Sequence, residues 1–269
     1  MTPENTRKLL LETEQICLGA GQIIRTMLQT DFDVAWKKKD DPVTAIDHAV
    51  NDYLFKELSR IAPESGWLSE ETAESPEWLD KETAWIVDPI DGTKNMMSRE
   101  REFAVSVALV KHGKPILAVV YSPVYKGHQD DMISGGAYGI GLRHNFEDIP
   151  MPPRDLNHPR SIHSHNSKIA QRIHEQGFTP VAFGSVAYRL ANCGLGRGDI
   201  TIGTRYASNP WDIAAGHLIA ELGGCVFSDA HGKPVVYDTF GMKVDGFVCA
   251  ASPVLQEKMM SLIPAIRAS

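Results

Sequence analysis

The sequence predicts an α/β protein assembled from two halves. Helix and strand patterns alternate along its 269 residues, and a wholly apolar run at Ala84–Val87 reads as a buried strand that stops on acids. A polar, proline-rich stretch at 145–160 is the natural boundary, dividing the chain into 1–150 and 151–269. The length suffices for a large core, in one domain or in two closely packed halves.

Taken in order, residues 3–29 form an amphipathic helix. Thr2 caps it, Pro3 takes the first helical position, and Leu9, Ile16, Ile23 and Met27 share a face. Gly19 and Gly21 weaken a helix, so they mark close packing against a neighbour. Residues 37–44 read as a polar loop. A second helix follows on Ile46, Val50, Leu54, Leu58 and Ile61, with Asp47 in its first turn. Trp67–Glu71 is a short strand delivering acids, and 72–82 a charged loop.

Runs 103–110 and 115–121, joined by Lys111-His-Gly-Lys114, predict an antiparallel hairpin. Ser134–Gly141 offers a GxxGxG pattern without the strand-to-helix context of a nucleotide loop, and reads as a turn between strands. His163-Ser-His165 has metal-like spacing but lacks the further ligands a zinc site needs. Helices are expected at 167–176, 185–195 and 210–222, and from Pro253 to about Ile266. Short strands are expected at 200–203 and around Val226, Val235 and Val248.

Composition narrows the function classes. A formal net charge of −7 argues against nucleic acid or an anionic membrane as partner, since either repels the average surface. Cys17, Cys193, Cys225 and Cys249 are widely spaced with no CxxC, which fits reduced thiols in a cytoplasm. No run is long enough to span a membrane, and the N-terminus lacks a basic-then-apolar leader, so a cytoplasmic location is expected.

The chemistry concentrates in Trp85-Ile-Val-Asp-Pro-Ile-Asp-Gly-Thr-Lys94. Two carboxylates at a strand end face the backbone N–H groups of an opening helix. Carboxylates gather hard divalent cations and a helix start attracts phosphate, a pairing suited to metal-assisted phosphoryl transfer to water. The same ten residues would also serve as an Asp-rich turn. Three more acids are candidates: Asp47, which by itself complements the helix dipole, Glu70, which by itself is solvated surface, and Asp212. Asp212 lies in the first turn of an apolar helix that Asn209 caps and Pro210 opens, where a buried carboxylate needs a partner. If Asp47, Glu70, Asp88, Asp91 and Asp212 converge, they cannot all ionise at neutral pH without cations between them, and two or more Mg²⁺ ions would meet that need.

Four segments together resemble the inositol monophosphatase family, a family of Mg²⁺-dependent, lithium-sensitive phosphatases. They are Asp41-Pro-Val-Thr-Ala-Ile-Asp47, Leu68-Ser-Glu-Glu71, Trp85–Thr93 and Trp211-Asp-Ile-Ala-Ala-Gly216, in the family's order and spacing. The resemblance implies a layered αβαβα sandwich of the sugar-phosphatase type, with an α+β N-terminal half and an α/β C-terminal half. It also implies that Glu70, Asp88 and the carbonyl of Ile90 hold one metal, that Asp88, Asp91 and Asp212 hold a second, and that a weaker third ion sits beside Glu70. Thr93, hydrogen-bonded to Asp47, would orient and help deprotonate the attacking water, and the N–H groups of Gly92 and Thr93 would hold the phosphate. Attack would be direct and in line. Gly184-Ser185 matches the family's pair near the substrate. A homodimer is implied as well.

The substrate is divided between inositol monophosphate and a 3′(2′),5′-nucleotide bisphosphate, with histidinol phosphate and fructose 1,6-bisphosphate as alternatives. Thr204-Arg205-Tyr206 stands where inositol-cleaving members carry an acid, and Arg205 suits a second phosphate or plain surface. Several segments, Asp212-Ile-Ala-Ala-Gly-His217 among them, are similar to the bacterial nucleotidase branch, whereas Asn95-Met96 is similar to the inositol branch. A reading of another class is a binding partner of the transcription machinery with incidental phosphatase activity.

Overall fold

The computed structural model describes residues 2–29, 34–38, 41–72, 75–98, 102–124, 129–164, 168–203 and 207–267. Helix α1 (Pro3–Met27) and a small hairpin of β1 (Val34–Lys38) and β2 (Asp41–Thr44) lead into α2 (Ala45–Ile61). A seven-stranded sheet follows: β3 (Gly66–Ser69), β4 (Thr83–Asp91), β5 (Ala104–Lys111), β6 (Lys114–Val124), β7 (Gln129–Gly136), β8 (Gly141–His144) and β9 (Glu147–Ile149), neighbours in that order. Only β3 and β4 run parallel. The short helix α3 (Thr93–Met97) leaves the end of β4.

A second, five-stranded sheet takes β10 (Arg160–His163), β11 (Thr179–Ala182), β12 (Ile200–Gly203), β13 (Val226–Asp229) and β14 (Phe247–Ala250), in the order β11-β10-β12-β14-β13. Between its strands lie α4 (Lys168–His174), α5 (Val186–Gly194) and α6 (Pro210–Leu222), and α7 (Pro253–Arg267) closes the chain. No helix among the described residues is long and apolar enough to cross a membrane.

Strand alternation turns these elements into five layers. Side chains alternate across a sheet, so one strand feeds two cores. Trp85 and Val87 of β4, with Val105, Val107 and Leu109 of β5, pack under α1 and α2. Ala84, Ile86, Ala104, Ala108 and Val110 face the other way, onto α5 and α6. Those two helices then meet Phe247 and Cys249 of the second sheet, whose Val248 and Ala250 point onward to α4 and α7. The layering is therefore αβαβα, as the resemblance implied. Both faces of each sheet are buried, which explains why its strands read as near-continuous apolar runs.

Close backbone approach sets the helix spacing. A Cβ on Gly19 would lie 2.0 Å from Oη of Tyr53 on α2, and one on Gly21 would meet the Tyr121 ring at 2.5 Å. Where α5 ends against α6, a Cβ on Gly223 would stand 1.9 Å from the carbonyl oxygen of Gly194. That oxygen is backbone and has no rotamer by which to yield. Gly223→Ala is expected to destabilise the protein by about 1–3 kcal/mol, the usual cost of overpacking, as read from urea unfolding. The α5–α6 pair is also tied to the first sheet: buried Asp131 of β7 accepts from the Tyr188 hydroxyl of α5 and pairs with Arg197 at 2.5 Å.

Several sequence expectations shift. Of the stretch read as a loop, residues 37–38 and 41–44 are strand, because Val34, Ala35 and Trp36 pair with Thr44, Val43 and Pro42, and Lys38 with Asp41; residues 39–40 lie outside the described residues. The charged stretch 72–82 contains a 3₁₀ turn at Pro76–Asp80, capped by Ser75 and anchored by buried Trp78. Strand β4 passes through Pro89 to Asp91, since the ladder to β5 is irregular between Asp88 and Asp91 and so tolerates the missing donor. Residues around Val235 are irregular; Val235 is buried by packing alone, without a strand ladder. The 104–124 hairpin forms as expected, turning on His112 and Gly113 with φ of 48° and 74°.

Candidate active site

Four chain segments converge on the end of β4. Parallel pairing sets Ser69 beside Val87, and the Glu70 amide donates to the Val87 carbonyl at 3.2 Å, so Glu70 emerges next to Asp88. The irregular ladder after Asp88 lets both Asp88 and Asp91 sit at one strand end, only 1% and 8% exposed. Gly92 then reverses the chain with φ of 102°, a left-handed conformation that costs glycine little, and Thr93 starts α3.

Helix α2 supplies Asp47 through a reciprocal cap. Thr44 caps the helix, and Oδ2 of Asp47 accepts from Thr44 N at 2.9 Å and from Thr44 Oγ1 at 2.5 Å. The other oxygen, Oδ1, receives the Thr93 hydroxyl at 3.0 Å. Thr93 Oγ1 also lies 3.1 Å from the carbonyl oxygen of Ile90. Asp47 thus serves the helix dipole and the site together.

The second sheet's helices complete the arrangement. Oδ2 of Asp91 accepts from Ser185 Oγ and from the amide of Ala187, each at 2.6 Å, which fixes the start of α5 on the first sheet. Gly184 permits this approach: a Cβ there would overlap the Asn95 side chain at 1.5 Å. Asp212 is the third residue of α6, and its Oδ2 accepts from the Asn209 amide at 2.8 Å in a second capping box. Ser106 Oγ of β5 donates to the Trp211 carbonyl at 3.2 Å, holding α6 to the sheet.

The electrostatics are those of crowded carboxylates. Burial raises Asp88 well above the usual range, and Glu70, Asp91, Asp212 and Asp47 each push it further. Burial lifts Asp212 to about 8, with Asp91 adding to it, while the Asn209 bonds resist. Asp91 rises to about 6, where burial outweighs the Ser185, Ala187 and Arg189 contributions that lower it. The single hydrogen bond given to Asp88 among the described residues comes from the Ile90 amide at 3.0 Å.

Every donor in this set is a carboxylate, carbonyl or hydroxyl oxygen, the set that suits a hard divalent cation. Among the described residues no three His, Cys, Asp or Glu side chains are drawn close enough to hold a metal as they stand. A divalent charge would offset the mutual repulsion of these carboxylates.

The structure therefore brings together Asp47, Glu70, Asp88, Ile90, Asp91, Gly92, Thr93, Gly184, Ser185 and Asp212. Arg205 and His165 lie outside the described residues. His163 turns instead to Ser161 Oγ at 2.7 Å, a buried pairing rather than a ligand arrangement. Sequence reasoning missed the Ala187 amide, which carries no side-chain signal. It also missed Arg189, detectable as the one cation in the otherwise uncharged helix α5, four residues after Ser185.

A five-layer αβαβα protein with an oxygen-lined acid site at a strand end belongs structurally with the sugar-phosphatase class. The sequence profile of the inositol monophosphatase family matches residues 6–268, and the chain belongs to that family of phosphoric monoester hydrolases. It is 32% identical over 238 residues to the 3′(2′),5′-bisphosphate nucleotidase CysQ of Escherichia coli K12, covering 83% of this chain and 91% of that one. It is 29% identical over 239 residues to an inositol-1-monophosphatase of Mesorhizobium japonicum, covering 87% and 86%. Its fold matches the crystal structure of an IMPase/NADP phosphatase complexed with Mg²⁺ and phosphate, with TM-score 0.79 and 23% identity over 96% of this chain and 97% of that one.

Proposed function

We propose that this protein is a Mg²⁺-dependent phosphomonoesterase of a small phosphorylated metabolite, with a 3′(2′),5′-nucleotide bisphosphate ahead of inositol monophosphate. The observation that carries the metal reading is Asp88. A carboxylate 1% exposed, facing four other acids and given one N–H, has no reason to be ionised unless a cation joins it. The nucleotide comes first because the relatives at 32% identity carry that activity in their names.

Glu70, Asp88 and the Ile90 carbonyl would hold one Mg²⁺, Asp88, Asp91 and Asp212 a second, and a weaker third would sit beside Glu70. Bound there, Mg²⁺ supplies Lewis acidity toward the phosphate and toward a water molecule. The protein's own part falls on Thr93. Its hydroxyl has one proton and two acceptors in reach, Asp47 Oδ1 at 3.0 Å and the Ile90 carbonyl at 3.1 Å. With the carbonyl turned to a metal ion, that proton would go to Asp47, and the Thr93 lone pairs would be left to accept a proton from the attacking water. Thr93 thereby orients the water, and Asp47 stabilises the positive charge that moves toward it.

The amides of Gly92 and Thr93, at the start of α3, would receive phosphate oxygens. Gly184, Ser185 and Asp212 would contact the sugar or nucleoside. Arg205 would meet a second phosphate. Attack would be direct and in line; Asp91, tied to Ser185 and Ala187, and Asp47, tied to Thr44, are both engaged elsewhere.

The test is phosphate release with Mg²⁺ from 3′-phosphoadenosine 5′-phosphate, inositol 1-phosphate, fructose 1,6-bisphosphate and histidinol phosphate. The nucleotide is expected to turn over fastest, with inositol 1-phosphate second. Preference for inositol 1-phosphate would reverse the substrate order. Absence of release from all four by folded protein would overturn the enzymatic reading in favour of a binding role.

A further inference from the structure

Helix α2 reaches the acid site twice. Asp47 stands in its first turn, and Asn51, four residues on and 7% exposed, lies on the same helix face. The Asn51 carboxamide grips both ends of one tight turn. Its Oδ1 accepts from Ser69 Oγ at 2.7 Å, and its Nδ2 donates to Thr72 Oγ1 at 3.3 Å. Between those ends lie Glu70 and Glu71, and the Thr72 amide closes the turn on the Ser69 carbonyl at 3.4 Å. The same two hydroxyls are used again from within the segment. Trp67 Nε1 donates to Thr72 Oγ1 at 3.3 Å, and the Glu71 amide donates to Ser69 Oγ at 3.3 Å. Asn51 is thus the point at which α2 holds the turn that presents Glu70.

We propose that Asn51 is a positioning residue for Glu70: by clamping the Ser69–Thr72 turn it keeps the Glu70 carboxylate beside Asp88, ready for a divalent cation. This rests on the metal reading above. Strand pairing carries the chain to Ser69 opposite Val87, and the Glu70 amide makes one further bond to the Val87 carbonyl at 3.2 Å. Past that point the Asn51 bonds shape the path of the turn. Like charges repel, so an acid brought next to Asp88 tends to swing away while no cation lies between them. A neutral amide resists that motion without changing the charge of the site. A lysine or arginine at the same place would compete with the cation, and another acid would add to the repulsion. Holding a ligand in place beforehand lowers the ordering cost of binding. Because Asp47 sits on the same helix face, α2 also aligns the Glu70 turn with the Asp47–Thr93 pair, whose hydroxyl bond is 3.0 Å.

The experiment is Mn²⁺ binding to the full-length, chelator-stripped protein, with free Mn²⁺ counted by electron paramagnetic resonance. Glu70→Gln marks the binding event that depends on Glu70. Asn51→Leu, close to asparagine in size, is compared with Ser69→Ala and Thr72→Val, each checked by thermal melting. Removing a partner that orients a metal ligand costs about 10–100-fold in affinity. Asn51→Leu should therefore weaken the Glu70-dependent event by about tenfold or more, and add little when combined with Glu70→Gln. The half-saturating Mg²⁺ concentration for phosphate release should rise by about tenfold or more while the substrate KM at saturating Mg²⁺ is kept. A mere loss of folded protein would not give that split. Ser69→Ala and Thr72→Val each release one end of the turn and should weaken the same event. Unchanged Glu70-dependent affinity in folded Asn51→Leu overturns the proposal, as does a full further loss on top of Glu70→Gln. If Asn51→Leu does not fold, unchanged affinity in both Ser69→Ala and Thr72→Val overturns it. Mn²⁺ binding that ignores Glu70→Gln overturns it too. Wild type that binds no Mn²⁺ at all would instead fail the metal reading itself, and this proposal with it.

Discussion

Asp88→Asn is expected to abolish phosphate release while raising the melting temperature of the chelated protein. The two effects share one cause. Asp88 is the proposed bridge between both ions, and losing it removes several kcal/mol of charge stabilisation at the phosphate, a loss of about 10³-fold or more in kcat. Without cations the same carboxylate is a burden, because burial and four acid neighbours oppose its ionisation. Asparagine keeps the oxygen that accepts from the Ile90 amide at 3.0 Å and discards the charge. Activity assays and melting curves therefore move in opposite directions. A folded variant that retains wild-type turnover would remove Asp88 from the mechanism, and an unchanged melting temperature would mean that the acids do not repel one another.

Thr93→Val should lower kcat by about 10²–10⁴-fold with a small effect on KM, the range expected when a proton-handling group is lost. Valine matches threonine in shape, so α3 can start as before. What disappears is the hydroxyl that bonds Asp47 Oδ1 at 3.0 Å and reaches the Ile90 carbonyl at 3.1 Å. Because Asp47 acts through Thr93, a Thr93→Val/Asp47→Asn double variant should lose little more than either single one. Additive losses in steady-state kinetics would show that the two residues work independently. A rise in KM with kcat preserved would place Thr93 in substrate binding instead.

How much of this was readable from sequence differs by element. The capping of α1 by Thr2 and the apolar spacing of α2 follow local rules, and those helices lie where the residues put them. Strand β4 was visible because burial on both faces leaves a continuous apolar run. Its passage through Pro89 was not, since that depends on the irregular pairing with β5, a long-range fact. The hairpin of β1 and β2 was hidden by the charges at its centre. Trp78 anchors a stretch that composition marks as solvent-exposed, because one large buried side chain outweighs several charged neighbours.

The site divides along the same line. Its acids announced themselves by residue type, and the Thr44–Asp47 and Asn209–Asp212 pairs by capping spacing. Their convergence required the tertiary fold. The contact of Ser185 and Ala187 with Asp91 spans more than ninety residues and joins the two sheets, so no local pattern encodes it. Arg189 was overlooked for the same reason: its meaning lies in what faces it.

The central claim, that these carboxylates form a cation site, is tested most directly by thermal unfolding of chelator-stripped protein against pH, with and without Mg²⁺. Asp212 is raised from 3.8 to about 8 and Asp88 well above 3.8, so the folded state holds protons that the unfolded chain has released. Stability is then present at low pH and lost as pH climbs through the folded values. Buried His163, pushed down to about 4 by desolvation, works in the opposite sense between about 4 and 6.5, so the window is pH 6.5–8. The account predicts that the melting temperature of the chelated protein falls across that window and that the increment from Mg²⁺ grows with pH. A flat profile with no Mg²⁺ increment would contradict it.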